Sequence, residues 1–522
     1  MDISATVQPW ISQPFTVAIS LVALTGTYVY YTSSRSLRSP PGPKALPVIG
    51  NIHQLPMEFQ EKAFHEWGKV YGDVIYTKIF RKSMIVLNSL EAARDLMEKR
   101  SGNYSSRPTF VLMCELLGWD TLTLMPYGNR SRKMRKWIQD TFQKKEALAS
   151  YHHVQLREVS RVLARLVVNP AEFSTHFTTF SASMLMEVTY GHRVTSDDDF
   201  FVRVADRAIE ETAKGGGMGS RLVDFFPILK HYPMWLPGSN FRRKVAETRQ
   251  LVQSMINAPY DMVKQRLESG AWPSMIGHLV EQHLHDGKIS AEDEADIRGA
   301  GATIYSAGTE TTATVMCIFI LVMVRQPDIY TKLQAEMDKF VGFERLPDLE
   351  DRVSLPYLNA VIKELYRWQP PLPLGLPHMV SNNDEYRGYH IPGQAMLMSN
   401  IWAMSQDESF YPNPEEFNPE RYLDPDTPSA KVELMNPENI VFGFGRRACP
   451  GKEFADTGIY LMVAHIVATM SIGKAKDANG QEITPPAEFD GGISRRPTPF
   501  KCVILPRSSK AVDLIRQLEL AH

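Results

Sequence analysis

The residues before an apolar run near the C-terminus read Phe442-Gly443-Phe444-Gly445-Arg446-Arg447-Ala448-Cys449-Pro450-Gly451. Gly443 and Gly445 allow a tight turn and close backbone approach. A helix that begins after Pro450 would point its N-terminus at the sulfur of Cys449 and favour the thiolate, a soft metal ligand. The alternative is a small buried hydrophobe, the commoner role of a lone cysteine. The loop indicates a metal-thiolate site only if the rest of the chain supplies the other parts.

Composition places the chain among large globular proteins. It has 522 residues, 43% hydrophobic and 22% charged, which indicates an ordered chain with a large core. Its net charge of −2, with no zinc-finger spacing, gives no support for general nucleic-acid binding. The cysteines form no CxxC pair, so we expect a reducing environment and no disulfide framework. They are Cys114, Cys317, Cys449 and Cys502.

The N-terminal part has the pattern of an uncleaved membrane anchor. No charged residue occurs over residues 3–34, and the apolar centre is close to the roughly 20 residues that span a bilayer as a helix. Arg35 and Arg38 follow the apolar centre, whereas a cleaved signal peptide carries its charge before it. The expected divisions are an anchor over residues 1–34, a proline-rich hinge over 35–50 and a cytosolic catalytic domain over 51–522.

Alternation and turn residues predict two local elements after the hinge. Residues 73–80 and 84–87 are typical of a β-hairpin. Ser89 is placed to cap a helix over residues 90–100. The segment over residues 108–125 is long, apolar and poorly periodic, so it packs either into the core or against a ligand.

A long apolar stretch between Arg298 and Arg325 contains a single charge, Glu310. The stretch is long enough to span a membrane, but its glycines and hydroxyl residues favour a buried helix. A lone buried acid is costly unless it is paired or used. Gly308 permits close approach, and Thr311 can bond a backbone carbonyl. The acid and the hydroxyl together suit proton delivery into an apolar cavity.

Further charged motifs lie on both sides of this stretch. Glu364 and Arg367 stand three apart on one predicted helix face, where a surface pair is the alternative. Arg421 follows in a Pro-Glu-Arg motif, and Arg135 lies in a basic run that is usually a solvated helix face. The proline-rich run that ends at His378 cannot be helical.

Together these motifs resemble the cytochrome P450 family, the haem-thiolate monooxygenases, whose iron is ligated by a cysteine thiolate. The order of hinge, central-helix pattern, Glu-x-x-Arg, Pro-Glu-Arg and cysteine loop is that of the family. The resemblance implies a mainly α fold with a small β-rich lobe, the cytochrome P450 fold behind an N-terminal transmembrane helix. Residues 371–378 and 411–422 are most similar to fungal microsomal members of secondary metabolism.

The resemblance implies a role for each motif. Thr311 and Glu310 would form the catalytic proton relay, and Cys449 would be the axial ligand of a haem b iron. The structural residues would be the buried triad Glu364, Arg367 and Arg421. Haem-binding residues would be Cys449, Arg135, His378, Arg447, Phe442, Gly443, Gly445 and Gly308. Of these, Arg135 and His378 would bind the propionates, although Ser131 departs from the tryptophan usual in the Arg135 motif.

The implied reaction uses O₂ and NADPH-derived electrons to hydroxylate, epoxidise or otherwise oxidise a hydrophobic terpenoid, polyketide or alkaloid. The electron donor would be a separate NADPH-dependent cytochrome reductase, with a cytochrome b-type protein as a further candidate. The predicted substrate lining is Phe110, Met113, Leu116, Ile304, Ala307, Leu374, Leu376 and Ile493. The predicted reductase surface includes Arg446, Arg447 and Lys452, together with Lys133 or Lys136. The anchor would hold the enzyme, single-pass, in the endoplasmic reticulum membrane.

Two other functional classes remain open. A haem-thiolate isomerase or dehydratase needs neither O₂ nor a reductase, but it can dispense with the acid–hydroxyl pair seen at Glu310 and Thr311. A membrane-tethered haem carrier or sensor needs neither a proton relay nor a large apolar pocket segment. Substrate-dependent NADPH consumption with a matched amount of product separates the three classes.

Overall fold

A computed structural model describes residues 38–196, 198–214, 222–233, 235, 240–270, 272–426 and 428–521. The expected anchor and the first residues of the hinge lie outside these ranges. The described part of the hinge is non-helical, as predicted, and runs beside the first strand, where Tyr76 N–H donates to Pro41 O at 3.0 Å.

Helices account for most of the described chain. The α-helices are α1 Gln60–Tyr71, α2 Leu90–Ala93, α3 Ser101–Tyr104, α4 Asn129–Phe142, α5 Lys145–Val168, α6 Phe173–Tyr190, α7 Phe200–Lys214, α8 Asn240–Leu267, α9 Met275–Gln282, α10 Ala291–Arg325, α11 Pro327–Phe340, α12 Pro356–Trp368, α13 Ile401–Ser405, α14 Ser429–Leu434, α15 Glu438–Val441, α16 Lys452–Thr469 and α17 Ser509–Ala521. Short 3₁₀ turns are Ile52–Gln54, Pro170–Glu172, Pro227–His231, Leu349–Ser354, Pro419–Tyr422 and Gly445–Arg447, and π-helical turns are Arg94–Lys99 and Val111–Leu117.

The strands form three small sheets. They are β1 Val74–Ile79, β2 Lys82–Leu87, β3 His378–Met379, β4 Asp384–Tyr386, β5 Tyr389–Ile391, β6 Met396–Ser399, β7 Met470–Lys476, β8 Glu482–Ile483 and β9 Cys502–Pro506. The sheet orders are β1-β2-β6-β3, β4-β5 and β8-β7-β9. The predicted hairpin is confirmed, because β1 and β2 pair antiparallel with Val74 opposite Leu87. The mainly helical fold with small sheets is likewise as predicted.

The long helix α10 forms the centre of the core. Ser290 caps its start by accepting a hydrogen bond from Asp293 N–H at 3.0 Å. Among the described helices α10 is the one long and apolar enough to cross a membrane, yet 78% of its most apolar window is buried inside the protein. This burial confirms the prediction of a core helix.

The helix predicted after Ser89 forms in two parts. Ser89 Oγ caps it by accepting from Ala92 N–H at 3.1 Å, as expected. After α2 the helix widens into the π-helical turn Arg94–Lys99, where Arg100 N–H reaches Asp95 O at 3.1 Å. This turn lies directly against the cysteine loop, so the difference from a regular helix affects the site described next.

Candidate active site

A cavity of about 270 Å³ lies between α10 and the loop before α16. Cys449, Phe442 and Gly443 line one wall. The facing wall consists of residues from α10, namely Thr303, Ile304, Ala307, Gly308, Thr311, Thr312 and Val315. The structure therefore brings the cysteine loop and the central-helix motif, separated in sequence, to opposite sides of one cavity.

The cysteine loop is held by its glycines and by a backbone hydrogen bond. Cys449 N–H donates to Phe442 O at 2.7 Å and closes the loop. Gly443 and Gly445 have φ of +77° and +53°, a region that other residues rarely adopt. A Cβ at Gly445 would lie 2.1 Å from Met97 O, in the π-helical turn. Both glycines are therefore required by conformation, and Gly445 also by space.

The sequence suggested that the protein favours the thiolate form of Cys449, but the structure does not support this. Burial raises the pKa of the Cys449 thiol, whereas the Gly451 N–H and the charges of Arg135 and Lys452 act to lower it. The prediction weighed the helix N-terminus and nearby cations but could not include the burial. A buried thiolate here needs a further positive group, such as a metal ion, against the sulfur.

Three arginines, Arg107, Arg135 and Arg447, line one side of the cavity. Among the described residues no aspartate or glutamate lines it. Burial lowers the pKa of Arg107 to about 9 and that of Arg447 to about 10, and in each case a neighbouring arginine adds to the effect. Buried cations without carboxylates form a site for an anion.

Arg107 was missed by the sequence reasoning. It is 5% exposed, and its Nη1 donates to Leu376 O at 2.7 Å and to Pro377 O at 2.8 Å. Its Nε–H has no partner among the residues that the structure describes. The sequence contains one indication of its role, because Arg107 is the single charged residue between Arg100 and Glu115.

Arg447 and Arg135 are oriented by backbone carbonyls. Arg447 donates from Nε, Nη1 and Nη2 to the carbonyls of Ser105, Leu122 and Met125, at 2.8, 3.0 and 2.7 Å. Arg135 Nη2 donates to Ala448 O at 2.7 Å, next to the cysteine. Both guanidinium groups therefore have fixed positions at the cavity.

Ser131 stands where the family pattern has tryptophan, and it has a local role. Its hydroxyl accepts from Gly128 N–H at 2.9 Å and donates to Gly128 O at 3.0 Å, at the start of α4. Ser131 is outside the cavity lining, so this helix contributes Arg135 to the anion site without the neighbouring aromatic donor.

His378 lines the cavity in its neutral form. Its Nδ1 lies 2.7 Å from Tyr104 O, so that nitrogen carries the proton and donates it. Burial holds the pKa of His378 well below its usual value, and Arg107 and Arg447 lower it further. Nε2 is therefore an acceptor, and His378 could donate to a propionate only after gaining a second proton.

Thr311 and Glu310 lie on different faces of α10. Thr311 lines the cavity, and its Oγ1 donates to Ala307 O at 2.9 Å. Glu310 is outside the lining and partly buried. Burial raises its pKa, while the guanidinium of Arg496 acts to lower it. Gly308 brings α10 close to α6, because a Cβ there would lie 2.7 Å from Leu185 Cδ1.

The triad Glu364, Arg367 and Arg421 comes together in the interior. Arg367 Nε and Nη2 donate to the two oxygens of Glu364 at 2.8 and 2.7 Å, and Arg421 Nε donates to Oε1 at 3.1 Å. The side chains of Glu364 and Arg367 are both 0% exposed. Arg367 also donates to Ser405 O and Pro414 O, so the triad ties α12 to the segment that leads to the cysteine loop.

Comparison with known proteins agrees with this geometry. A sequence profile described as Cytochrome P450 matches residues 40–503, most of the chain. The chain belongs to the cytochrome P450 family. It is 42% identical over 505 residues to cytochrome P450 monooxygenase 176 of Postia placenta, covering 95% of this chain and 97% of that protein. It is 40% identical over 516 residues to monooxygenase 136 of the same fungus, covering 98% and 97%.

A third similar protein is cytochrome P450 monooxygenase claR of Ampulloclitocybe clavipes, 36% identical over 515 residues and covering 97% of this chain and 94% of that one. The chain is thus a cytochrome P450 monooxygenase, an oxidoreductase. The family uses a haem-thiolate iron with O₂ and electrons from a redox partner, and it acts on hydrophobic substrates.

The residues of this cytochrome P450 fit a haem b group. A sulfur lies on one wall, and the arginine cluster without carboxylates, with the unbonded Nε–H of Arg107, suits two propionates. The backbone at Gly443, which lines the cavity, allows close approach on the side of the cysteine.

The apolar lining of this cytochrome P450 differs in part from the prediction. Ile304, Ala307 and Leu376 line the cavity as expected. Phe110, Met113, Leu116, Leu374 and Ile493 are outside it. Met113 and Leu116 pack on the main core, Leu374 packs on the small cluster around β1 and β2, and Ile493 is 74% exposed. The corresponding segments instead contribute Leu122, Leu372 and Arg107.

Proposed function

We propose that this cytochrome P450 binds haem b between Cys449 and α10 and hydroxylates, epoxidises or otherwise oxidises a hydrophobic small molecule of fungal secondary metabolism. One observation carries the proposal most directly. A thiol, a helix bearing Thr311, and a carboxylate-free arginine cluster surround one largely apolar cavity. A terpenoid, polyketide or alkaloid skeleton suits that lining.

Each wall of the cavity has a separate role in the proposed mechanism. Cys449 would ligate the iron, and Arg107, Arg135 and Arg447 would hold the propionates. When bound, haem supplies O₂ activation with electrons that a reductase draws from NADPH. The chain itself orients the substrate against Ile304 and Ala307 and keeps bulk water out of the cavity.

Proton supply is the chemical task left to the side chains. Neighbouring residues on a helix point about 100° apart, so Glu310 cannot pass a proton directly to Thr311, and a water molecule must connect them. The raised pKa of Glu310 lets its carboxyl hold a proton to a higher pH than an ordinary glutamate. Thr311 Oγ1, which is positioned by its hydrogen bond to Ala307 O, would pass this proton on into the cavity.

The reduced protein under carbon monoxide tests the proposed function. We expect the absorbance band of a thiolate-ligated haem, and candidate hydrophobic metabolites should shift the oxidised spectrum on binding. Product should form in step with substrate-dependent NADPH consumption when the reductase is added. A haem protein that oxidises none of the metabolites it binds would favour the carrier, and turnover without NADPH would favour the isomerase.

Thr311→Ala should separate NADPH consumption from product formation. Without the hydroxyl, proton delivery becomes uncontrolled, and we expect product per NADPH to fall about tenfold or more while consumption continues. The measurement is the ratio of product to NADPH consumed, together with peroxide released.

Thr309→Ala is the matched control. Thr309 Oγ1 makes the same type of bond, to Tyr305 O at 2.9 Å, but Thr309 is outside the cavity lining. Its product-to-NADPH ratio should stay at the wild-type value. Unchanged coupling in Thr311→Ala would remove Thr311 from the relay.

Three of the cations predicted for the reductase surface are turned inward or paired with an acid. Arg447 points inward, Lys452 pairs with Glu438 at 2.9 Å, and Lys133 pairs with Asp293 at 2.9 Å. Arg446 and Lys136 remain exposed. We propose that these two cations steer an acidic face of the reductase or of a cytochrome b-type donor.

Reversing both charges should weaken reductase binding. For Arg446→Glu combined with Lys136→Glu we expect about a tenfold loss of affinity at low ionic strength, shrinking as salt is added. Reductase titrations at several salt concentrations measure it, and Lys476→Glu, exposed beyond the far end of α16, is the control. Equal salt dependence in variant and wild type would reject this surface.

The proposed location is the endoplasmic reticulum membrane, with one N-terminal span and the catalytic domain in the cytosol. The uncharged stretch over residues 3–34 and the arginines that follow it support this topology. Deleting residues 1–34 should release the enzyme from microsomes. A deleted form that stays bound as tightly as the full chain would contradict a single anchor.

A further inference from the structure

The π-helical turn Arg94–Lys99 lies directly against the cysteine loop. Its backbone is closed by Arg100 N–H, which donates to Asp95 O at 3.1 Å. A Cβ at Gly445 would collide with Met97 O and would lie 3.2 Å from Glu98 Cα. The two backbones are therefore in contact, and a shift of the turn would displace the loop that bears the cysteine.

Buried apolar side chains extend this contact to the hairpin of β4 and β5. Phe444 of the cysteine loop is 1% exposed and packs in one cluster with Leu96 and Met97 of the π-helical turn. The same cluster includes Tyr386 of the hairpin, which is 4% exposed. Hairpin, turn and loop thus form one packed unit, and closely packed interiors transmit strain from one part to another.

The hairpin holds the start of the π-helical turn through a phenol. Tyr386 Oη donates to Asp95 Oδ2 at 2.8 Å. The other carboxylate oxygen of Asp95 accepts from Lys99 Nζ at 2.8 Å, but the Lys99 side chain is 74% exposed, so solvent screens that pair. The bond from the buried Tyr386 to the carboxylate is therefore the stronger attachment.

A second group of contacts holds the end of the turn. Arg100 Nη1 donates to Asp384 Oδ2 at 3.0 Å and to Glu385 O at 2.6 Å. Tyr104 Oη donates to the same oxygen of Asp384 at 2.8 Å, and Tyr104 is fully buried. Tyr104 O also accepts the bond from His378 Nδ1 at the cavity wall. The hairpin is therefore attached to residues on both sides of the turn.

We propose that Tyr386 and Asp384 are positioning residues for Cys449, and that the hairpin of β4 and β5 is a buttress that acts on the cysteine loop through residues 94–104. The part of the proposal that concerns the iron rests on the proposed function. The glycines at 443 and 445 give the loop no side chains of its own at these positions, so its placement depends on what packs against it. Contacts around a metal ligand fix the orientation in which that ligand meets the metal.

Hydrogen exchange over residues 443–449 in the full-length protein tests the buttress. The Cys449 N–H, which bonds to Phe442 O, reports whether the loop is closed. Tyr386→Phe removes the hydroxyl but keeps the ring in the cluster, and we expect it to raise this exchange about tenfold. Tyr389→Phe is the matched control, because Tyr389 lies opposite Tyr386 in the same hairpin. It should leave the exchange unchanged.

A double substitution shows whether Tyr386 acts through Asp95. Asp95→Ala combined with Tyr386→Phe should exchange no faster than Asp95→Ala alone, because both changes remove the same bond. Effects that add in the double variant would show that the two residues act separately, and would overturn this route from the hairpin to the loop. Unchanged exchange in Tyr386→Phe, or an equal rise in Tyr389→Phe, would overturn the buttress itself.

The thiolate band tests the link from the loop to the iron. In mild urea, the carbon monoxide complex of Tyr386→Phe should lose this band about tenfold faster than wild type, while its helical circular dichroism decays at the wild-type rate. Asp384→Asn, at the other end of the turn, should behave in the same way. A band that decays together with the helices would show an effect on global stability alone and would overturn the positioning role.

The two measurements separate this proposal from the proposed function. If the wild-type protein gives no thiolate band with carbon monoxide, the proposed function fails. Hydrogen exchange of the loop needs no such band, so it still decides whether the hairpin supports the loop.

Discussion

Cys449→Ala should abolish the thiolate-haem absorbance completely. In the structure the sulfur lies in the cavity wall opposite α10, and among the described residues no other cysteine lines that cavity. The loop that presents it, closed by the Cys449 N–H bond to Phe442 O, does not use the side chain, so the substitution removes the ligand without removing the turn. The measurement is the spectrum of the reduced protein with carbon monoxide.

A second substitution separates loss of the thiolate from loss of haem. Cys449→His offers an imidazole, which also ligates haem iron, so haem should remain while the thiolate band disappears. Far-ultraviolet circular dichroism of each variant reports whether the helical fold is kept. A thiolate-type band that persists in Cys449→Ala would refute the assignment.

The remaining cysteines are natural controls. Cys317 is buried, and Cys114 and Cys502 are partly buried, and burial raises the pKa of all three thiols. Replacing each by alanine should leave the thiolate band in place. Their inertness follows from their position outside the cavity lining.

Short contiguous motifs were the most predictable part of the site. The cysteine loop, the acid–hydroxyl pair and the Glu-x-x-Arg pattern each fix several residues by chain connectivity, and the family order relates them to one another. The hairpin of β1 and β2 was predictable because alternation has a period of two. In each case the local sequence contains most of the information.

Side-chain direction in irregular segments was not predictable. Leu374 and Leu376 stand two apart in a proline-rich run without a regular period, yet Leu376 lines the cavity and Leu374 packs behind the sheet. Ile493 lies in a loop whose path depends on distant contacts, including Arg495 N–H to Pro371 O at 2.8 Å. Arg107 belongs to the anion site because it lies near Arg447 in the fold. Nothing in the sequence indicates that these two residues lie close together.

Charge alone also gave an incomplete account of the surface. Arg446 and Arg447 are neighbouring residues of the same type, so the sequence does not distinguish them. In the structure Arg447 turns inward and donates to three carbonyls, whereas Arg446 stays exposed. The same limit applies to Cys449, where nearby cations were visible in the sequence and burial was not. The loss of hydration on burial depends on the packed structure. Whether it outweighs the pKa-lowering effect of the nearby cations could therefore be judged only from the structure.

Glu364→Gln should destabilise the fold by about 3–5 kcal/mol, because it leaves the charges of Arg367 and Arg421 buried without a counter-charge. Glu364 and Arg367 are 0% exposed and joined by bonds of 2.7 and 2.8 Å. The same carboxylate also accepts from Asn418 N–H at 2.9 Å, so its loss weakens the segment that leads to the cysteine loop. Urea unfolding and the rate of haem release measure the two effects.

The chain contains a matched control for this substitution. Glu66 and Lys69 have the same spacing of three residues and a bond of 2.7 Å, but their side chains are 64% and 59% exposed. Glu66→Gln should leave unfolding and haem release unchanged, because solvent screens that pair. If Glu364→Gln were equally silent, burial would not be the cause, and the triad would have no structural role.

Arg367→Lys distinguishes charge from geometry within the triad. Lysine keeps the positive charge, but its single ammonium cannot reproduce the paired bonds to Glu364 or reach the carbonyls of Ser405 and Pro414 together. We therefore expect it to lose at least half of the stability that Glu364→Gln loses. Full retention of stability in Arg367→Lys would show that charge compensation alone holds α12 to the segment before the cysteine loop.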